Sequence, residues 1–295
     1  MLYVAALTKH LLPVYSSSMK LPEHKLRVRL IALDLDDTTL NSELMITPKT
    51  VAALQAAAAR GIYVVLCSGR AENAMLKYVR TLDIAGSDQG RYLISMNGAS
   101  VFDMHKRLIM YSRKVSADVL RLAYREAQSA GLAAEVYSGD TIFAPVQNEW
   151  TRRDAELSGL KLQIVDTFAE ILKHGFSKMI IPGDPEKLLE LQDKLRAELG
   201  TSAVIFTSKP YFLEVLPPEC GKGEAVLWLA GELGIPREET MAFGDSMNDE
   251  SMIKSAGYGV AMVNGLDYIK NIADFVTRQD NNHDGIADFI TEYVL

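Results

Sequence analysis

The sequence predicts an α/β fold, with a parallel-sheet core interrupted by an inserted α+β segment. Three observations predict it. Apolar runs of strand character alternate with helix-like stretches over the first hundred residues. Between Val101 and about Ser208 the alternation changes character, and from Tyr211 to the C-terminus it resumes. Alternating β and α units call for parallel strands joined by crossover helices. Ligands of such open sheets bind along the edge formed by the strand carboxyl ends.

The first run, Arg29-Leu-Ile-Ala-Leu, delivers Asp34 and Asp36 with one residue between them. Strand side chains alternate faces, so the two acids would share a side if the strand continued. Asp36-Asp37-Thr38-Thr39 is turn chemistry and ends it. Two acids at a strand's carboxyl end suit a division of labour in which one attacks and the other handles protons. A capped strand end with solvated acids is the bland alternative. Thr47-Pro48 then reads as an N-cap and first-turn proline, opening an alanine-rich helix over 49–60 that Gly61 closes. A strand at 62–67 leads into Ser68-Gly69-Arg70, a helix at 71–82 follows, and a strand at 91–95 ends near Asn97-Gly98-Ala99.

The inserted segment begins with a hairpin, 98–103 with 107–112, and a helix at 116–130. Short strands at 132–137 and 141–145, a strand at 176–181, a helix at 185–199 and a strand at 203–207 complete it. This reading divides the chain into an N-terminal extension (1–26), a core (27–100 and 209–295) and an α+β cap domain (101–208). On the return to the core, Phe212–Leu216 and a Pro-Pro turn precede Gly221-Lys222-Gly223. Thr240–Phe243 then leads into Gly244-Asp245-Ser-Met-Asn248-Asp249. In chain order these pieces supply an acid pair, a hydroxyl, an ammonium and a second acidic cluster, an inventory suited to moving a phosphoryl group with a divalent cation.

The chain resembles the haloacid dehalogenase-like hydrolases, and within them the Cof-type phosphatases. The family's four motifs stand in order as Asp34-Leu-Asp36-Asp37-Thr38, Ser68-Gly69-Arg70, Lys222 and Gly244-Asp245-Ser-Met-Asn248-Asp249. Asn97-Gly98-Ala99 and the closing Asp284-Gly285-Ile286-Ala287 are also Cof-like, so the resemblance spans roughly residues 28–295. Two positions depart from the commonest pattern: Asp37 stands where Gly is most frequent, and Thr39 where Leu is usual. Altered turn packing, with the chemistry intact, is the expected result.

The resemblance implies a Rossmann-like parallel-sheet core with its cap inserted between the second and third motifs. Segment 41–46, where relatives carry a different cap, is too short for one. It further implies a Mg²⁺-dependent phosphatase acting on small phosphorylated metabolites through an aspartyl-phosphate. Asp34 would be the nucleophile and Asp36 the acid and base. Ser68, Gly69, Lys222 and Asn248 would bind phosphate. The metal ligands would be Asp34, Asp245, the backbone carbonyl of Asp36 and, more weakly, Asp249. Arg70 and Asn97 are possible substrate contacts, Arg70 being equally readable as a structural ion pair. Ser68 could also cap a helix, and Ser246 with Asp249 resembles an N-terminal cap. Tyr137, Asp140, Trp150, Arg152 and Arg153 are the residues of the insert expected to meet substrate. The rival functions are a phosphomutase or phosphotransferase of the same superfamily, and a non-catalytic binder of a phosphorylated metabolite.

Composition bounds these readings. The chain has 295 residues, 48% of them hydrophobic, enough for two domains with buried cores. A net charge of −7 argues against a nucleic-acid partner. No apolar run approaches the roughly eighteen residues that span a bilayer, so no membrane partner is expected. Cys67 and Cys220 are the only cysteines, which suggests a reducing compartment, and a cytoplasmic location is expected. Residues 1–26 carry interrupted Leu/Val/Ala content without a clear cleavage site, and read as a leader or an overextended start with Met19 as a candidate initiator. Oligomeric state is not legible. Asp280-Asn-Asn282-His-Asp284-Gly285 imitates the opening of a calcium loop, but its twelfth position is Thr291 in place of a bidentate Glu, so a turn capping the last helix is expected. Gly221-Lys222-Gly223 lacks P-loop spacing, and the five histidines lack zinc spacing.

Overall fold

A computed structural model describes residues 20–295. Residues 1–19 of the expected extension therefore lie outside the described residues. The remainder of that extension is already tied to the core. Lys20 Nζ donates to the carbonyls of Asn271 and Ala273, and Leu26 N–H donates to the Tyr293 carbonyl.

Among the described residues, fourteen strands form two sheets. They are β1 (Leu30–Leu33), β2 (Tyr63–Cys67), β3 (Tyr92–Ser95), β4 (Ser100–Asp103), β5 (Leu108–Ser112), β6 (Glu135–Ser138), β7 (Thr141–Ala144), β8 (Lys161–Ile164), β9 (Met179–Pro182), β10 (Val204–Lys209), β11 (Phe212–Leu216), β12 (Thr240–Gly244), β13 (Tyr258–Ala261) and β14 (Phe275–Val276). The first sheet has eight strands in the order β14-β13-β12-β1-β2-β3-β4-β5. Its members from β14 to β3 are parallel, and β4 and β5 are appended antiparallel.

Successive residues of β1 serve opposite faces. Ile31 and Leu33 enter one apolar core with Leu54, Met75 and Phe289, while Leu30 and Ala32 enter another with Val226, Leu229 and Met252. All four are fully buried, as a central parallel strand covered by helices on both faces requires. The helices Pro48–Ala59, Glu72–Leu82 and Gly285–Tyr293 contribute to the first core, Lys222–Glu232 and Glu250–Ser255 to the second. With β2 on one side of β1 and β12 on the other, the connections leave β1 in opposite directions. That is the switch point where open sheets bind ligands.

The second sheet runs β10-β11-β9-β6-β7-β8. The helices Ala117–Ser129 and Pro185–Leu199 cover one face, burying Leu120, Leu188 and Leu195 against Val136, Met179 and Leu213. The opposite face, with Tyr137, Ile142, Ile180 and Phe212, packs against Ala71 and Met96 of the first unit.

Sheet membership moves both edges of the expected insert. The hairpin β4–β5, assigned by sequence to the cap, extends the first sheet because the turn Met96–Gly98 folds β4 back against β3. Conversely, Phe212–Leu216, assigned to the core, pairs antiparallel with β10 and β9 in the second sheet. An apolar run carries no mark of which sheet will satisfy its backbone groups, and here the tight β10–β11 turn decides.

Candidate active site

The carboxyl ends of β12, β1, β2 and β3 lie side by side, and each delivers polar groups to one place. After β1, the chain makes a single turn over Leu35–Thr39 with Asp37 in the left-handed region at φ 59°. A side chain there is strained unless it is Gly, Asn or Asp, which accounts for an aspartate at the position where Gly is common. Thr39 is buried, and its hydroxyl donates to the Asp34 carbonyl at 2.5 Å. A leucine could not make that bond, so the second departure from the pattern also acts in turn packing. Thr38 Oγ1 donates to Asp245 Oδ1 at 2.7 Å, joining the turn after β1 to the end of β12.

Lys222 is fully buried at the start of its helix, and Nζ donates to Asp34 Oδ1 at 2.5 Å and to Asp249 Oδ1 at 2.6 Å. The other oxygen of Asp249 accepts the backbone N–H groups of Asp245 and Ser246 at 2.9 and 3.0 Å. Asp249 is therefore anchored at both ends. Gly244 permits this packing, since a Cβ there would meet Asp249 Cβ at 2.5 Å.

Oxygens of Asp34, Asp245 and Asp249 lie within 4.8 Å of one another. Burial first, and then the Asp249 charge, raise Asp34 well above the usual carboxylate range. The same two causes push Asp245 up to about 7. Lys222 is lowered by its own burial, but Asp249 and Asp34 outweigh that and hold it ionised. One ammonium does not neutralise three buried carboxylates. With both Asp249 oxygens engaged, Asp34 and Asp245 are the hard oxygen donors left, and their excess of negative charge fits a small divalent cation.

Asp36 faces away from this cluster. Arg70 grips it with two parallel hydrogen bonds, Nε to Oδ2 at 2.9 Å and Nη2 to Oδ1 at 2.7 Å. Burial raises Asp36, but the Arg70 hydrogen bond and charge, helped by Lys209 and Lys222, leave it lowered overall. Of the two roles open to Arg70, the structure shows the ion pair, and its Nη1 also donates to the Leu157 carbonyl at 3.1 Å. Ser68 is buried, and its Oγ accepts the Arg70 N–H at 3.2 Å. It does not cap the next helix, which starts at Glu72 with Ala71 at the N-cap position.

Asn97, expected at the substrate, is engaged elsewhere. Its Nδ2 donates to Glu214 at 2.8 Å, and its Oδ1 accepts from Asn248 Nδ2 at 3.2 Å. Asn248 accordingly braces Asn97 and makes no bond to Lys222. Gly69 leaves room for Asn97, since a Cβ there would lie 2.9 Å from its amide. Ser246 and Asp249 do form the reciprocal cap read from sequence. The Asp280–Gly285 turn precedes the last helix, but the Asp284 side chain makes no cap bond and instead accepts the Thr47 hydroxyl.

A cavity of about 440 Å³ separates the two sheets. Asp34, Asp36, Ser68, Gly69, Arg70, Asp245 and Asn248 line one side, whereas Tyr137, Asp154, Lys178, Lys209, Tyr211 and Glu214 belong to the inserted segment. Of the insert residues picked from sequence, only Tyr137 lines it. Trp150 and Arg153 pack on Tyr211, at 6.3 and 4.0 Å from its ring centroid, and Asp140 pairs with Lys161. Lys178 and Glu214 were missed although a signal existed: each is a charge set against or inside an apolar strand. Lys178 Nζ donates to the Gly69 carbonyl at 2.8 Å and lies 3.4 Å from Glu214. With the Glu214–Asn97 bond, this makes a polar clasp between the insert and the loops after β2 and β3.

A model of one hydrolase family, the haloacid dehalogenase-like hydrolases, matches residues 31–290. The chain belongs to this family. It is 32% identical to a Serratia proteamaculans protein named HMP-PP phosphatase, over 83% of this chain and 87% of that one. It is 29% identical to a Bacillus subtilis protein named 5-amino-6-(5-phospho-D-ribitylamino)uracil phosphatase YwtE, over 90% of this chain and 98% of that one. Among solved structures, a haloacid dehalogenase-like hydrolase from Bacteroides thetaiotaomicron superposes with a TM-score of 0.81 at 31% identity, covering 90% and 98% of the two chains. Like them, this family member is an α/β hydrolase. Among the described residues, no helix is long and apolar enough to cross a membrane.

Proposed function

We propose that the protein is a Mg²⁺-dependent phosphatase that hydrolyses small phosphorylated metabolites through an aspartyl-phosphate on Asp34. The observation that carries this reading is Asp34 itself. It is buried at the switch point and lines the cavity; Lys222 occupies Oδ1 and, among the described residues, no donor occupies Oδ2. That oxygen is the one free to attack phosphorus. The names of the relatives, both phosphatases, support the reaction class.

Asp34 and Asp245 would hold the metal, with the Asp36 carbonyl as the further protein ligand. Asp249, with both oxygens engaged, positions Lys222 and the loop after β12. When bound, Mg²⁺ supplies positive charge to the transferring phosphoryl group and relieves the repulsion among the acids. Lys222 places a fixed ammonium beside the nucleophile, where negative charge on phosphoryl oxygens is stabilised. Ser68 and the backbone around Gly69 would hold a phosphate oxygen. Arg70 keeps Asp36 ionised, the form that takes a proton from the attacking water. A dianionic ester alongside raises the carboxyl, creating the acid form that protonates the leaving oxygen. The inserted unit would act as a cap that excludes water during the first transfer.

The test is phosphate release from acetyl phosphate and a panel of phosphorylated metabolites, with Mg²⁺ or with EDTA. Asp34→Asn is expected to lose turnover on the order of 10⁴-fold or more while keeping its circular dichroism spectrum. Undiminished hydrolysis by that variant would overturn the mechanism.

A further inference from the structure

The loop after β2 is pinned from two sides, and the inserted unit supplies one of them. Ser68 N–H donates to the Ile94 carbonyl at 2.9 Å, the Ser68 carbonyl accepts the Asn97 N–H at 3.0 Å, and the Arg70 carbonyl accepts the Met96 N–H at 3.1 Å. All three partners lie on β3 or the turn that follows it. The Gly69 carbonyl, between them, is satisfied from elsewhere: it accepts Lys178 Nζ at 2.8 Å, and Lys178 immediately precedes β9. Lys178 is only 5% exposed. A lysine usually carries its ammonium out to water along its own stem; this one turns it inward. Its carboxylate neighbour, Glu214, lies 3.4 Å away, at the far limit of a hydrogen bond, and the Tyr137 ring centroid is at 4.9 Å. The Gly69 carbonyl is therefore its best partner.

What the ammonium holds is one peptide away from the Ser68 hydroxyl. The C=O and N–H of a trans peptide point in opposite directions. Anchoring the Gly69 carbonyl thus aims the Arg70 N–H the other way, where it donates to Ser68 Oγ at 3.2 Å. With a donor on its oxygen, the Ser68 hydroxyl keeps its own proton to give away. Among the described residues nothing accepts that proton, and nothing accepts the Gly69 N–H. Both residues line the cavity. A full charge at the head of such a chain polarises each bond in turn, from ammonium to carbonyl, from amide to hydroxyl, and from hydroxyl to an anion. Two unspent donors side by side at the cavity wall suit the oxygens of a phosphate.

Resting on the phosphate-binding role proposed for Ser68, we infer that Lys178 is a positioning residue for that role. The ammonium fixes the Gly69–Arg70 peptide, the peptide orients the Ser68 hydroxyl, and Lys178 itself makes no contact with the phosphoryl group. The inserted unit then does more than cover the cavity. The loop holds phosphate well only while Lys178 is seated on it, so phosphate binding and docking of the insert favour each other.

The test is a double-mutant cycle on the full-length protein, read as the Kd of inorganic phosphate by calorimetry in Mg²⁺. Removing Lys178 alone would strand the buried Glu214 carboxylate. Every protein in the cycle therefore carries Glu214→Gln, whose amide oxygen can still accept from Asn97. In that background Lys178→Met should weaken phosphate binding by about tenfold or more, as for a lost hydrogen bond to a charged group. With Ser68→Ala also present, the same Lys178→Met change should cost less than about twofold, because the group it orients is gone. Equal losses in both backgrounds would mean a direct phosphate contact or a general disturbance of the fold, and either overturns the inference. So would a Lys178→Met protein that binds phosphate undiminished, or a parent that binds none. Acetyl phosphate separates this inference from the phosphatase reading. A protein that shows the coupling but does not hydrolyse acetyl phosphate or any ester keeps the positioning role of Lys178 and loses the phosphatase reading.

Discussion

At the scale of single residues, the site pairs each acid with a different partner and so gives chemically identical side chains different surroundings. Lys222 and Asp249 surround Asp34, whereas Arg70 clamps Asp36. The clamp has a measurable consequence. Arg70→Met removes the group that lowers Asp36, so its carboxyl rises, and the base form disappears at a higher pH. The acidic limb of the kcat profile should therefore move upward, by about one pH unit or more for a lost charge-assisted pair of this kind; an unmoved limb would show that Asp36 does not govern it. The candidate site residues are legible in sequence because each follows a strand-like run in an ordered set. The partner of each acid is not. Nothing in the spacing separates a substrate-facing Arg70 from one bonded to Asp36, and Asn97 looked available until Glu214 and Asn248 were placed around it.

At the scale of elements, close backbone approach sets the geometry. Gly98 has φ +92°, and a Cβ there would lie 2.0 Å from the Gly221 carbonyl oxygen, immediately before the helix that carries Lys222. Gly98→Ala should thus push the turn after β3 away from that helix, with a cost of about 3 kcal/mol or more in urea unfolding and a fall in kcat as Lys222 shifts. Full stability would mean that the turn relocates without moving the helix. Helices and strands were readable from periodicity and from the Thr47 and Gly61 boundaries. The allegiance of strands was not: β4, β5 and β11 carry the right pattern for either sheet, and only their ladders decide. Lys178 and Glu214 show what a reading by elements passes over, since charges within apolar strands look like interruptions until their partners are known.

At the scale of the whole molecule, the two units meet across a cavity that holds more acids than bases, and the metal-free protein should register that. Burial, and then the Asp249 charge, push Asp245 up to about 7 in the fold, above the 3.8 of the free group. The folded chain then binds more protons than the unfolded one between those values, so stability is lost as pH rises from about 4 to 7. In EDTA the melting temperature should fall by several degrees across that window, and Mg²⁺ should restore most of the loss above pH 7. A flat profile in EDTA, or one that rises, would contradict the raised Asp245.

The ladder between β1 and β12 carries a further consequence, one of timing. Leu30 pairs with Thr240 and Leu33 with Phe243, so the strand bearing Asp34 acquires one of its two neighbours only after the whole inserted unit has been made. During synthesis β1 can pair with β2 on one side while its other edge stands open. The insert, whose strands pair only among themselves, can fold in that interval. Chains fold from the N-terminus as they emerge, so the candidate site comes together as a closing event, when β12 docks and brings Asp245 and Asp249 to Asp34. Activity should consequently return later than secondary structure during refolding, and a ribosome-bound chain should hold a finished insert beside a core that is still an open edge.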